Sequence, residues 1–367
     1  MKNLNLTYVP GKGATEFHSV FHSALASANS NSIHASHFYH EEIAYTLAHG
    51  SSLACTPALV FVKSHGIAKA MNSVIASLHS GVAAPLAVFT FEDEQGSSSD
   101  HPFSSLKMLE GVGAKVFQVR AETLLTGFYE AISFSMAKKL PAFLSIGTRD
   151  LPDHASLKAF AREALKHIHS LPEFSLLPRY QALLNPLLSP RYSSPLPKIP
   201  HCPRDLPPHL SITARSYEPA IEVLKKIGYS WVTGDAGTSS LFGLPPHDLI
   251  DVCTHMGGAI PLAMGAVLGG KNRVLAVSGD FSFISTGALA LGEAHQRGIS
   301  FDILIFQNGL ASATGGQVVP DEMLRSQMPA GIEVHLIHQD PAGLFELLKN
   351  PLQSKAQPRV VIYSVKQ

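Results

Sequence analysis

Asp280 and Asn308 are the residues of this chain whose types and setting most clearly imply chemistry. Each closes an apolar run, Val274-Leu-Ala-Val-Ser-Gly-Asp280 and Phe301-Asp-Ile-Leu-Ile-Phe-Gln-Asn308, and 27 residues lie between them. Such runs predict buried strands, so both side chains stand at the carboxyl ends of neighbouring strands, where open α/β sheets bind ligands. A carboxylate and an amide are hard oxygen donors of the kind Mg2+ accepts alongside the phosphates of a nucleotide-like cofactor. Two glycine-rich turns belong to the same half. Gly234-Asp235-Ala-Gly237-Thr238-Ser239-Ser240 follows strand Ser230-Trp-Val-Thr233, and Thr254-His255-Met256-Gly257-Gly258 precedes a helix of small residues. Glycine lets backbone approach a ligand, and free amides with hydroxyls suit a phosphate. Together with Gly279-Asp280 and Asn308, these turns predict a phosphorylated cofactor.

The elements that must position these residues alternate along the chain. In the first part, helical patterns at Glu16–Ala26, Glu41–His49, Gly66–His79 and Glu122–Lys139 are interleaved with apolar runs at Ala58–Val62, Pro85–Phe91, Lys115–Val119 and Ala142–Ile146. In the second, helices at Ser216–Ile227, Ala259–Leu268 and Thr286–Arg297 alternate with strands at Ser230–Thr233, Val274–Val277, Phe301–Phe306 and Val360–Tyr363. Strand–helix alternation predicts α/β units whose mostly parallel sheets carry helices on both faces. Between them lies a proline-rich stretch with one helix, Ser156–Ser170. Proline removes amide donors, so this stretch reads as a connector. The expected division is residues 1–152, a connector over 153–209, and residues 210–367.

Bulk properties exclude several partners. Lys+Arg and Asp+Glu both total 28 in the 367 residues, so no net field draws nucleic acid or an anionic membrane. The most apolar run, Ala259–Leu268, is short and broken by Pro261 and Gly265, too short to span a bilayer. Cys55, Cys202 and Cys253 follow no metal or iron–sulfur spacing, and the amino terminus lacks a signal-peptide pattern; both predict a cytoplasmic protein. A Gly-x-Gly-x-x-Gly dinucleotide turn is absent.

The motifs Thr233-Gly-Asp-Ala-Gly, Asp251-Val-Cys-Thr-His-Met-Gly-Gly-Ala-Ile, Ser278-Gly-Asp-Phe-Ser-Phe and Gln307-Asn-Gly-Leu-Ala-Ser-Ala-Thr-Gly-Gly-Gln occur in that order. This series resembles the cofactor-binding half of thiamine diphosphate (ThDP) enzymes. It is most similar to the large subunit of indolepyruvate:ferredoxin oxidoreductases, and more distantly to phosphonopyruvate and sulfopyruvate decarboxylases. The resemblance implies two ThDP-fold domains, a pyrimidine-binding one followed by a diphosphate-binding one. It further implies that Asp280, Asn308 and the main-chain carbonyl of Leu310 hold Mg2+. Gly234, Asp235, Gly237, Thr238, Gly279, Phe281 and Ser282 would surround the diphosphate. Met256 would be the apolar wedge that bends the cofactor, with His255 beside it.

The first half would supply an acid. The cofactor's own amino group removes the thiazolium proton, and a carboxyl group bonded to the far pyrimidine nitrogen promotes this. In His40-Glu41-Glu42-Ile-Ala-Tyr-Thr-Leu-Ala-His49 the family pattern aligns its Glu with Glu41, with Glu42 as the alternative. A glutamate at a helix start is also favoured by the helix dipole alone. His65, in Ala58-Leu-Val-Phe-Val-Lys63-Ser64-His65-Gly66, is placed to polarise a carbonyl or shuttle protons, and Lys63 or His255 to pair a substrate carboxylate.

Departures from the family shape the expected reaction. Phe281 replaces the last Gly of the usual Gly-Asp-Gly, Gln307 replaces the first Asn of a pair, and the family's clustered cysteines are missing. A non-oxidative decarboxylase or carboligase acting on a 2-oxo acid, through the thiazolium enamine, is the first expectation. A ThDP-binding component of a split oxidoreductase with a separate electron-carrier subunit, or a non-catalytic partner-binding relative, are the alternatives. In this family the two cofactor-binding faces belong to different subunits, which implies at least a homodimer.

Overall fold

The computed structural model describes residues 4–26, 33–177, 201–206, 208–352 and 357–365 of the chain. It divides into two compact units, Met1–Leu177 with Leu268–Gly270, and Pro178–Val267 with Lys271–Gln367.

The first unit runs β1 (Leu4–Tyr8), α1 (Ala14–Ala26), β2 (Ile33–His37), α2 (Glu41–Leu53), β3 (Ala58–Lys63), α3 (Ser64–Lys69), α4 (Met71–Ser80), β4 (Leu86–Glu92), α5 (Leu106–Gly111), β5 (Lys115–Val119), α6 (Leu124–Lys138), β6 (Ala142–Gly147) and α7 (His154–Ser170). Its strands form one parallel sheet in the order β2-β1-β3-β4-β6-β5. Side-chain alternation divides the core in two. Leu59 and Phe61 of β3, Phe89 and Phe91 of β4 and Leu144 of β6 pack with α1, α6 and α7. Ala58, Val60 and Val62 of β3 and Phe143 of β6 pack with α2, α3, α4 and α5. Burial on both faces explains why these strands read as unbroken apolar runs.

The second unit runs α8 (Pro208–Ile227), β7 (Trp231–Gly234), β8 (Val252–Cys253), α9 (Ala259–Leu268), β9 (Val274–Gly279), a single turn α10 (Asp280–Ser282), α11 (Ala288–Gln296), β10 (Asp302–Gln307), β11 (Leu310–Ala311), β12 (Gln317–Val318), α12 (Asp321–Ser326), β13 (Val334–His338), α13 (Pro341–Leu348) and β14 (Arg359–Ser364). Its main sheet is parallel in the order β13-β14-β10-β9-β7-β8. One face packs Val232, Leu275, Leu304 and Val361 against α8 and α13. The opposite parity, including Ala276, Ile303 and Ile305, is buried as well. The expected α/β class with helices on both sheet faces is what the chain adopts.

Three differences from the sequence reading have physical causes. The helix within the expected connector, α7, buries Leu157, Phe160, Ala164 and Ile168 in the first core, so the first unit continues past residue 152. The stretch after Gly66 is two helices meeting at Ala70, not one. The expected helix from Thr286 starts instead as a π-turn, Phe283–Gly287, that continues α10 into α11. Residues 178–200 of the connector lie outside the described residues. Among those described, no helix is long and apolar enough to cross a membrane.

Candidate functional site

In the second unit, four adjacent strands deliver the sequence-selected residues to one edge. In sheet order, β10 leads into Asn308, β9 into Asp280, β7 into Asp235, and β8 into His255 and Met256. Register keeps these ends level: Phe306 pairs Gly279, and Gly234 pairs both Val277 and Cys253.

Asp280 is only 2% exposed. Its Oδ1 accepts the Phe281 amide at 2.8 Å and its Oδ2 the Gly309 amide at 2.7 Å. The second bond crosses to the neighbouring strand, and Gly309 supplies its amide from a φ of 72°, a conformation that favours glycine. Asn308 Oδ1 accepts the Leu310 amide at 3.0 Å, while its Nδ2 donates to Ser312 Oγ at 2.7 Å. Leu310 opens a small hairpin in which β11 pairs antiparallel with β12. The π-turn directly behind Asp280 is of a kind that recurs at functional sites. Gly257, at φ 78°, lets it approach: a Cβ there would lie 2.6 Å from the Thr286 Cβ.

These residues line a cleft. Gly237, Met256, Gly279, Asp280, Phe281, Ser282, Asn308 and Leu310 all face it, as do Tyr217, Ser239 and Phe306. The Asp280 carboxylate and the Asn308 side chain line this cleft together with the main chain of Gly279 and Leu310, oxygen donors of the kind Mg2+ accepts. At Gly237 and Gly279 a Cβ would meet nothing within 4 Å, so the backbone there borders open space. Among the described residues, no lysine, arginine or histidine lines the cleft. A diphosphate in it would therefore need a divalent cation and main-chain amides to balance its charge, which these residues fit.

Asp235 and Gly234 lie beneath the cleft rather than along it. Gly234 packs so that a Cβ would be 2.7 Å from Ile250 Cδ1. The Asp235 carboxyl is fully buried, and burial pushes it up to about 7. His255 is also buried and away from the cleft lining. The side chain of Thr238 lies outside the described residues.

In the first unit, the β2-β1-β3 edge gathers the other candidates. Glu41 begins α2 and rests on α3: a Cβ on Gly66 would lie 2.7 Å from Glu41 Cγ. Its Oε2 pairs with Lys69 Nζ at 3.0 Å, with the two side chains 18% and 50% exposed respectively. Glu42 turns to α4, where Asn72 Nδ2 donates to it at 3.3 Å and burial raises its pKa. His65 is half-buried in α3, its ring centroid 5.5 Å from that of Phe103. Lys63 is already engaged, donating to Ser98 O at 2.7 Å and Ser99 Oγ at 2.6 Å.

Sequence reasoning missed Tyr217, Ser312 and Lys69. Tyr217 comes from α8 and stacks on Phe306 with centroids 4.1 Å apart, forming a cleft wall. Its sequence position, 63 residues before Asp280, carries no local signal. Lys69 meets Glu41 only through the packing of α3 on α2, which carries no local sequence signal.

Comparison with known proteins agrees with this geometry. Residues 235–346 match the family model described as the C-terminal TPP-binding domain of thiamine pyrophosphate enzymes. No curated protein sequence matches the chain. The fold is similar to the benzoylformate decarboxylase of Polynucleobacter necessarius, with a TM-score of 0.58 at 14% identity over 99% of this chain and 95% of that one. It is likewise similar to the thiamine diphosphate-dependent 4-hydroxybenzoylformate decarboxylase of Rhodococcus jostii RHA1, with a TM-score of 0.62 at 15% identity over 99% and 96%. The chain thus shares the fold of these solved ThDP enzymes, and within its second unit residues 235–346 are similar to a TPP-binding domain.

Proposed function

We propose that this protein is a ThDP- and Mg2+-dependent enzyme that decarboxylates a 2-oxo acid without oxidising it, or joins the resulting fragment to a second carbonyl. The observation that carries this reading is the Asp280–Asn308 edge: oxygen donors on adjacent strand ends, beside glycine backbone, in a cleft with no cationic side chain among its described lining residues. When bound, ThDP supplies a carbon nucleophile that also accepts the electron pair left by CO2.

The chain's own residues do the rest. Asp280, Asn308 and the Leu310 carbonyl would hold the metal, Met256 would pack against the cofactor, and Phe281 walls the cleft where a smaller residue is usual. Glu41 would bond the pyrimidine ring nitrogen, and His65 would donate or accept a proton at the substrate oxygen. Lys63, tied to Ser98 and Ser99, holds the loop near His65 instead of meeting substrate. Cys55, Cys202 and Cys253 form no disulfide and lie on separate segments without clustering, which favours protonation over oxidation. The solved neighbours are a benzoylformate decarboxylase and a 4-hydroxybenzoylformate decarboxylase, which favours an aryl 2-oxo acid as substrate.

Following the resemblance to ThDP enzymes, we propose a homodimer in which each cofactor lies between two copies of the chain. The test is a screen of pyruvate, aryl-pyruvates, benzoylformate and phosphono- or sulfopyruvate with ThDP and Mg2+, following CO2. Release from an aryl 2-oxo acid is expected; no release from any of them, with ThDP bound, would refute the reading.

A further inference from the structure

Asp235 sits where three segments of the second unit meet, and it faces none of the open cleft. It is 0% exposed, yet every side-chain oxygen has a partner. Oδ1 accepts the Ala259 amide at 2.7 Å, and the Gly257 amide also bonds the carboxyl. Oδ2 accepts the hydroxyl of Ser278. The main chain of Asp235 is tied in turn to Ser239, whose hydroxyl donates to its carbonyl at 3.2 Å. One side chain therefore joins the end of β7 to the turn after β8, which carries Met256, and to β9 two residues ahead of Asp280.

We infer that Asp235 is a positioning residue: it sets Met256 and Asp280 relative to each other through Gly257, Ala259 and Ser278, and does not touch the diphosphate. This differs from the contact role implied by the family motif, and it rests on the function proposed above. A buried donor left without its acceptor is costly, so an apolar replacement should let the three segments drift apart. Asparagine preserves the arrangement, because its oxygen accepts the Ala259 amide while the Ser278 hydroxyl turns to accept from its amide nitrogen. The raised carboxyl pKa fits a group selected for hydrogen-bonding shape and not for charge.

The test is calorimetric titration of the full chain with two ligands, Mg2+ plus inorganic diphosphate and Mg2+ plus ThDP, with circular dichroism to confirm folding. Asp235→Asn should bind both within about twofold of wild type, and Asp235→Leu at least about tenfold more weakly. Ser278→Ala removes only the arm to β9 and should weaken Mg2+–diphosphate by about tenfold while the fold persists. If Asp235→Leu fails to fold, Ser278→Ala decides. Asparagine as damaging as leucine in a folded protein would overturn the inference, since charge would then matter directly. Wild-type binding of ThDP with unchanged affinity in Ser278→Ala would overturn it alone. Wild-type protein that binds neither ligand overturns it together with the functional reading.

Discussion

Asp280 combines two tasks in one carboxylate: it ties β9 to the turn after β10 through the Gly309 amide, and it offers its remaining lone pairs to the cleft. Removing it should cost more than a metal ligand alone. Asp280→Ala is expected to weaken ThDP binding in the presence of Mg2+ by about a hundredfold, read by quenching of the single tryptophan, Trp231. Affinity within a few-fold of wild type would exclude Asp280 as a ligand. Asp235 yields a pH prediction. Its folded pKa, about 7, lies above the ordinary 3.8, so the native state binds the proton more tightly than the unfolded chain. Its contribution to stability is therefore greatest below about pH 4 and declines as pH rises to about 7. Asp235→Asn should remove that decline, so its melting temperature relative to wild type should climb between those pH values and then level off. A constant difference across the range would contradict this. At this scale the sequence disclosed Asp280 and Asn308 because each terminates an apolar run; it hid Tyr217 and Lys69 because only tertiary packing brings them in.

The elements behave as the burial of their faces dictates. Central strands such as β4 and β10 are buried on both sides and were readable as continuous apolar runs. Strand β13 alternates exposed and half-buried residues at the sheet edge, and β1 buries the polar Asn5 and Thr7 among its apolar residues, so neither stood out. The π-turn was invisible for another reason: its sequence is helical, and only the added residue per turn distinguishes it. The junction of α2 with α3 carries a sharper test. Gly66 has room for no side chain, since a Cβ would lie 2.4 Å from Val62 Cγ2 and 2.7 Å from Glu41 Cγ. Gly66→Ala should displace Glu41 and lower turnover by about tenfold or more, while leaving Mg2+–diphosphate affinity, a property of the other unit, unchanged. Equal loss of both would show a general folding defect instead.

At the scale of the whole molecule, two α/β units with parallel sheets repeat one architecture without repeating a sequence, and the strand–helix alternation had predicted both. The boundary was less legible, because the pattern of α7 shows an amphipathic helix but not the core that receives it. A homodimer with shared sites has a kinetic signature. Specific activity should fall on dilution in step with dimer dissociation measured by sedimentation, and an active monomer would contradict the shared site. The most direct measurement is titration of the purified chain with ThDP, with and without Mg2+. Saturable binding that disappears when the metal is chelated, and that Asp280→Ala weakens by about a hundredfold, is the expected result; no binding under any of these conditions would leave the chain with a ThDP-enzyme fold and no ThDP chemistry.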